Sequence, residues 1–364
     1  MDAPAERAFM ARALELAERG LHTTTPNPRV GCVLVRDGAV VGEGWHVRPG
    51  GAHAEVAAID DARSKGAQVA GATAYVTLEP CDHHGRTPPC TEALIGARVA
   101  RVVCAMRDPH PVAAGGAERL RTAGIAVDIG LLEREARELN PGFVSRMTRG
   151  RPWVRTKLAS SLDGKSALVN GVSRWITGPE ARADGHVWRA RACAILTGAG
   201  TVRDDDPELS VRAIAVERQP FVVVVDAHAR TPPAARVLRR SGTLVATAGP
   251  RRPDWPDAVG CLPLPDAAGR VDLAALMREL ASRGVNELHV EAGARLSGAL
   301  LSAGLVDELL MYVAPDVIGD PARGLFAREG PLETLDRSAR FEFERVDRVG
   351  RDLRVIARVA GRNG

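Results

Sequence analysis

Apolar residues recur at helical spacing over residues 7–19, where Phe9, Ala13, Leu16 and Ala17 share one side. The period then changes. Residues 30–35 and 39–45 are apolar-rich runs separated by Arg36-Asp37-Gly38, a hairpin signal. Val47-Arg48-Pro49-Gly50-Gly51 reads as loop, and 54–65 as a helix stopped by Gly66. The pattern next predicts a strand at 72–78, a short helix at 91–97, a strand at 100–106, and a short strand at 125–129 between two helical stretches. This first alternation stops near Asn140-Pro141-Gly142, and an arginine-rich connector, 146–151, leads to Pro152. A second alternation begins at Trp153. It predicts strands at 153–159, 193–197, 221–225, 243–247, 286–290 and 307–313, and helices at 179–191, 271–283 and 294–303. The proline-rich stretch 249–266 predicts loop. Helices alternating with strands imply layered α/β architecture. We divide the chain into residues 1–147 and 148–364.

Length supports that division, because 364 residues exceed one ordinary core. Hydrophobic content of 45% with 26% charged residues fits a globular chain. Residues 1–10 hold no apolar run that could serve as a secretory signal, and no later stretch is long enough to span a bilayer. Six cysteines without framework spacing suggest a reducing compartment, so a cytoplasmic location is expected. Cys32, Cys104, Cys193 and Cys261 sit in or beside apolar runs and read as core. A net charge of +4, 4% aromatic residues and no basic block argue against a nucleic-acid partner. No internal repeat is present, and a homo-oligomer stays open. Lysine occurs only at 65, 157 and 165. Two of the three lie close together in a chain that otherwise uses arginine, which marks 157–165 as a place where arginine does not fit.

Chemistry concentrates in His53-Ala54-Glu55, Pro80-Cys81 and Cys90. One imidazole and two thiols can hold Zn²⁺ and leave a fourth position for water, whose pKa the metal lowers. A spare carboxylate, Glu55, can then carry the proton from that water to a leaving amine, the general signature of zinc deaminases. Two residues apart, His53 and Glu55 share a site only if His53 lies at the helix start. Cys90 precedes a helix, where the thiolate is favoured. The general signature has two residues between its cysteines; here there are eight, 82–89.

That longer insert, with Thr25-Pro26-Asn27-Pro28-Arg29-Val30-Gly31-Cys32-Val33 and the segment Thr77 through Cys90, closely resembles the deaminase half of the bifunctional riboflavin-biosynthesis deaminase/reductases. The resemblance implies a cytidine-deaminase-like α/β/α domain. It also implies one zinc on His53, Cys81 and Cys90, Glu55 as proton donor, and Asn27 against a pyrimidine ring. His83, His84 and Arg86 would shape the substrate mouth.

In the second half, no strand is followed by the usual Gly-x-Gly-x-x-Gly turn. Two other glycine segments follow strands, at 197–202 and 291–300, and the second runs into a helix whose N–H groups can bind phosphate. Lys157 through Lys165, Ser173 through Thr177, Asp204 through Arg212 and the 291–300 segment resemble the reductase half of the same family. That resemblance implies a dihydrofolate-reductase-like α/β domain using NADPH. By it, Ala159, Trp175, Thr201, Asp205, Gly293, Ala294, Arg295, Leu296, Ser297, Gly298 and Ala299 would contact the cofactor. Ser173, Arg189, Leu209, Arg212 and Glu291 would contact a pyrimidine ribosyl phosphate; arginine suits phosphate by its planar fork. Ala227 stands where the family can have serine. Two rivals remain: a tRNA or free-nucleotide deaminase, which predicts a short cysteine spacing and a basic surface, and a non-catalytic protein with a closed four-ligand zinc.

Overall fold

The computed structural model describes residues 3–85, 88–319, 321–328 and 330–361. It divides into two units, Met1–Gly150 and Arg151–Gly364.

The first unit runs α1 (Ala3–Glu18), β1 (Gly31–Arg36), β2 (Ala39–Trp45), α2 (Ala54–Ser64), β3 (Thr73–Val76), α3 (Cys90–Gly96), β4 (Arg101–Cys104), α4 (Gly116–Thr122), β5 (Ala126–Ile129), α5 (Glu133–Leu139) and α6 (Pro141–Arg149). Its five strands lie in the order β2-β1-β3-β4-β5. β1 pairs antiparallel with β2 and β3, while β3, β4 and β5 run parallel. The predicted hairpin forms: Asp37 and Gly38 both take positive φ, 51° and 78°, as a tight two-residue turn needs. Successive strand residues serve opposite cores. Cys32, Leu34, Val76 and Val102 pack with Ala58 and Ile59 of α2. Val33, Val35, Tyr75 and Val103 pack with Met10, Ala13 and Leu16 of α1. This is the expected three-layer sandwich. Close approach seats α2 on β2, for a Cβ on Gly44 would lie 2.4 Å from the Ala58 nitrogen and 2.5 Å from the Ala54 oxygen.

The sequence reading stopped the first alternation one helix early. Asn140-Pro141-Gly142 is the start of α6, with Pro141 at its first turn, where proline loses no helical hydrogen bond. Phe143 and Val144 then join the core beside α1.

The second unit contains β6 (Trp153–Ser160), β7 (Lys165–Ala167), α7 (Pro179–Arg191), β8 (Ala194–Gly198), α8 (Ala199–Asp205), β9 (Phe221–Val225), β10 (Leu244–Thr247), β11 (Gly260–Pro263), α9 (Leu273–Ser282), β12 (Glu287–Val290), α10 (Ala294–Ser302), β13 (Glu308–Val313), β14 (Arg323–Gly324), β15 (Phe341–Val349) and β16 (Asp352–Val359). Nine strands form one sheet, β11-β10-β9-β8-β12-β6-β13-β16-β15, and β14 pairs with β7 alone. β11 through β13 are parallel; β16 and β15 are antiparallel additions. Val154, Leu196, Val223, Leu288 and Val290 make one core with Leu276 and Leu280 of α9 and Leu300 of α10. Two readings are corrected here and one hairpin was missed. The 249–266 stretch is not all loop, since Gly260–Pro263 adds the edge strand β11. The glycine segment at 197–202 turns helical at Ala199. The final hairpin, β15 and β16, went unread because most of β15 is exposed and its charged residues hide the alternation.

Candidate active sites

Local structure brings the first constellation together. His53 is the residue before α2, with φ −74° and ψ 163°, and Glu55 lies in the first turn. The extended backbone at His53 lets both side chains line one cavity of about 440 Å³. Cys90 opens α3. The insert between the cysteines is pinned at its base: the Thr91 N–H donates to the Cys81 carbonyl at 3.3 Å, and the Thr91 hydroxyl donates to Asp82 at 2.7 Å. Glu79 holds the facing loop, accepting from the N–H groups of Ala117 at 2.9 Å and Asp108 at 3.2 Å.

His53 Nδ1 lies 3.1 Å from Cys90 Sγ and 3.5 Å from Cys81 Sγ. The three donor atoms fall within 4.8 Å of one another. A tetrahedral zinc with bonds of about 2.0–2.3 Å has edges of about 3.3–3.8 Å, so the set fits the ion. Glu55 stands outside this cluster, and among the described residues no fourth His, Cys, Asp or Glu joins it. The closed-site rival therefore lacks its ligand.

Electrostatics agree with that division of labour. The Cys81 thiol is pushed down to about 4, chiefly because Cys90 donates to it, with His53 helping. Cys90, holding the shared proton, is pushed up. A cation between the two sulfurs takes that proton's place. His53 is raised mainly by its contact with Cys81. Glu55 is raised, first by burial and then by the Cys81 charge, so it favours holding a proton.

Asn27 lines the same cavity, as does His83. His84 does not; its side chain is exposed and lies 3.7 Å from Glu92. Arg86 lies outside the described residues. Sequence reasoning missed four lining residues: His46, Asp108, His110 and Arg146. Burial pushes the Asp108 carboxyl up to about 6. Asp108-Pro109-His110 directly follows a parallel strand's C-terminal end, where α/β sites gather, and that position was the usable signal. Arg146 depends on α6, which was not read.

The second unit holds a cavity of about 870 Å³. Ala159, Trp175, Thr201, Asp205, Gly293 and Ala294 line it, as do Ser173, Arg189, Leu209, Arg212 and Glu291. Arg295 through Ala299 continue along α10 and do not. Ser297 is buried, and Gly298 packs so tightly that a Cβ would lie 1.9 Å from the Ala327 oxygen. Gly293 caps α10 without a side-chain partner, which leaves first-turn N–H groups open to an anion. Trp175 is 66% exposed, its ring 4.6 Å from the Arg182 guanidinium. Arg189 makes three hydrogen bonds within the protein: Nε and Nη2 donate to Glu291 at 2.5 and 2.8 Å, and Nη1 donates to the Ser210 carbonyl at 3.1 Å. Its Nε–Nη2 edge is thus held by Glu291, while Arg212 stays exposed. Lys157 lines the cavity with its Nζ 5.8 Å from the Tyr312 ring centre. Burial pushes its ammonium down, and Glu291 opposes the shift. Ala227 packs at the margin of the core.

Comparison with known proteins accounts for both cavities. The cytidine and deoxycytidylate deaminase zinc-binding region matches residues 4–106, and the RibD C-terminal domain matches 152–355. Riboflavin biosynthesis protein RibD of Escherichia coli K12 is 48% identical over 95% of this chain and 97% of that protein. Its Haemophilus influenzae counterpart is 44% identical over 95% of each. The chain belongs to the RibD family. Among solved structures, Acinetobacter baumannii RibD superposes with a TM-score of 0.89 at 41% identity, covering 98% of this chain and 99% of that one. A Thermotoga maritima diaminohydroxyphosphoribosylaminopyrimidine deaminase/5-amino-6-(5-phosphoribosylamino)uracil reductase gives 0.90 at 36% identity, with the same coverage. As a RibD protein, the chain is a bifunctional enzyme of riboflavin biosynthesis, pairing a zinc-dependent deaminase with an NADPH-dependent reductase. Its substrate is a small-molecule pyrimidine.

Proposed function

We propose that the first domain hydrolyses the 2-amine of 2,5-diamino-6-(5-phosphoribosylamino)pyrimidin-4(3H)-one, and that the second reduces the ribosyl group of the deaminated compound to give 5-amino-6-(5-phosphoribitylamino)uracil. The name carried by the Thermotoga relative supports these compounds. The observation that carries the reading is the His53, Cys81 and Cys90 cluster with Glu55 buried beside it. These three side chains would hold one zinc. When bound, zinc acts as a Lewis acid that makes water nucleophilic near neutral pH. Glu55 takes the proton of that water and returns it to the amine nitrogen, which leaves as ammonia. Phe143 gives the cavity an apolar wall, and Asn27 meets the ring.

In the second domain NADPH supplies the hydride. Thr201, Asp205, Ala159 and Trp175 border the cofactor, and the start of α10, at Gly293 and Ala294, receives its phosphates on first-turn N–H groups. Ser173, Leu209 and Arg212 face the ribosyl phosphate. Arg212, exposed at the cavity, is the guanidinium best placed for the phosphate, and Arg189 lines the cavity while keeping Glu291 charged and oriented. No helix among the described residues is long and apolar enough to cross a membrane. A cytoplasmic location without a nucleic-acid or membrane partner belongs to the same reading, and the state of self-association is open to light scattering.

The decisive experiment is Glu55→Gln, assayed for ammonia release and for NADPH oxidation with deaminated substrate supplied. Proton transfer of this kind contributes about 10²–10⁴-fold. We expect at least the lower figure to vanish from ammonia release, with zinc content and reduction unchanged. Undiminished ammonia release overturns the assignment.

A further inference from the structure

Next to the metal ligands sits an imidazole that nothing above uses. His46 follows β2, is 3% exposed, and lines the same cavity as Asn27 and Glu55. Its ring meets His53 edge-on, with centroids 5.4 Å apart and planes at 81°. Both of its nitrogens are engaged. Nδ1 lies 3.0 Å from the Ala52 carbonyl oxygen. Nε2 lies 3.1 Å from Asn27 Nδ2.

Those two partners leave one arrangement. A carbonyl oxygen only accepts, so Nδ1 carries the hydrogen. A carboxamide nitrogen only donates, so Nε2 carries none and accepts from Asn27. The chain Asn27 Nδ2–H to His46 Nε2, then His46 Nδ1–H to Ala52 O, runs in one direction and fixes the imidazole tautomer. It also fixes which way the Asn27 amide faces. One Nδ2 hydrogen goes to His46, so the amide cannot turn over, and its oxygen keeps one fixed place at the cavity. Among the described residues nothing donates to it. The backbone holds both ends still: Asn27 N–H donates to the Thr24 carbonyl at 2.8 Å, and His46 N–H to the Val30 carbonyl at 2.9 Å.

We propose that His46 is a positioning residue that locks the Asn27 carboxamide, nitrogen toward His46, so that its oxygen is an acceptor held in one place to read an amine or ring N–H of the aminopyrimidine. The inference rests on the deaminase reading above and deepens it. An amide free to rotate accepts a donor or an acceptor edge equally well, whereas a locked one rejects the wrong edge by leaving it unpaired. His46 thereby confers selectivity on a residue that touches the ring, without touching the ring itself.

A double-mutant cycle separates this role from a merely structural one. Ammonia release from the diaminopyrimidine ribosyl phosphate is measured for Asn27→Ala, His46→Phe, and both together, with zinc content of each. Losing one directed hydrogen bond corresponds to about a tenfold rise in KM. We expect that rise in each single variant, full zinc in all, and no further rise in the double variant, since His46 acts through Asn27. His46→Gln, whose amide can accept from Asn27 and donate to Ala52, restores most of the loss. Multiplied effects in the double variant overturn the proposal. So does loss of zinc in His46→Phe, which makes His46 a prop of the His53 loop. Failure of the Glu55→Gln test removes the deaminase reading itself; failure of this cycle, with Glu55→Gln inactive, removes only the role of His46.

Discussion

Lys157 shows how one residue type can be demanded by its surroundings. Its ammonium lies in the reductase cavity, depressed by burial and countered by Glu291, close to the already engaged Arg189. A guanidinium there is bulkier, cannot shed its charge, and competes with Arg189 for Glu291. We expect Lys157→Arg to lower reductase turnover about tenfold or more while ammonia release holds; unchanged NADPH oxidation discards the idea. Asp163 gives a pH-dependent case. Its carboxylate accepts from the Ser161 hydroxyl at 2.6 Å and from the N–H groups of Ile318 and Gly319 at 3.1 and 2.7 Å. Those bonds, the Ser161 one foremost, hold it down to about 2, from 3.8. A depressed folded-state value stabilises above the unfolded one and is lost as pH falls through the folded one. Asp163→Asn should therefore melt below the parent at pH 6, and the gap should close between pH 4 and pH 2. A gap constant with pH contradicts the assignment. Both residues fall within the one segment where lysine usage pointed, so that anomaly was legible. The partners that explain it, Glu291 and residues 318–319, lie far along the chain.

Elements carry a different kind of information. The start of α2 was legible because two residues of one site, spaced by two, can meet only at a helix end, and His53 is that end. Helices α9 and α10 emerged near their expected bounds because their apolar stripes face a continuous core. α6 was missed since Asn-Pro-Gly reads equally as a turn and as a helix start. α10 shows what pattern alone leaves out: Gly298 is required by a neighbour 29 residues away. Gly298→Ala should cost about 1–3 kcal/mol by overpacking against Ala327, measured by denaturant unfolding. The Arg155 guanidinium, 1% exposed, joins β6 to β12 and β13 through Glu287, at 3.0 Å, and Glu308. Arg155→Met leaves two buried carboxylates, with Arg191 and Arg358 as their remaining partners, and should destabilise by about 3–5 kcal/mol.

At the scale of the whole molecule, two units with separate cores and separate cavities imply separable losses. Removing zinc with a chelator should abolish ammonia release and lower one thermal transition, because bound metal stabilises only the unit that holds it. NADPH oxidation on supplied deaminated substrate should survive; its collapse would show that the units do not fold independently. The sequence by itself determined the two-part α/β plan and the deaminating centre, because periodicity is local and a metal's donor set is written in residue types that little else requires. Tertiary structure alone decided which polar groups face which. It spent the Arg189 fork on Glu291, brought Asp108, His110 and Arg146 to the zinc cavity, and set His46 between Asn27 and Ala52. Hydrogen-bond direction depends on the geometry of groups distant in sequence, and no spacing along a chain encodes it.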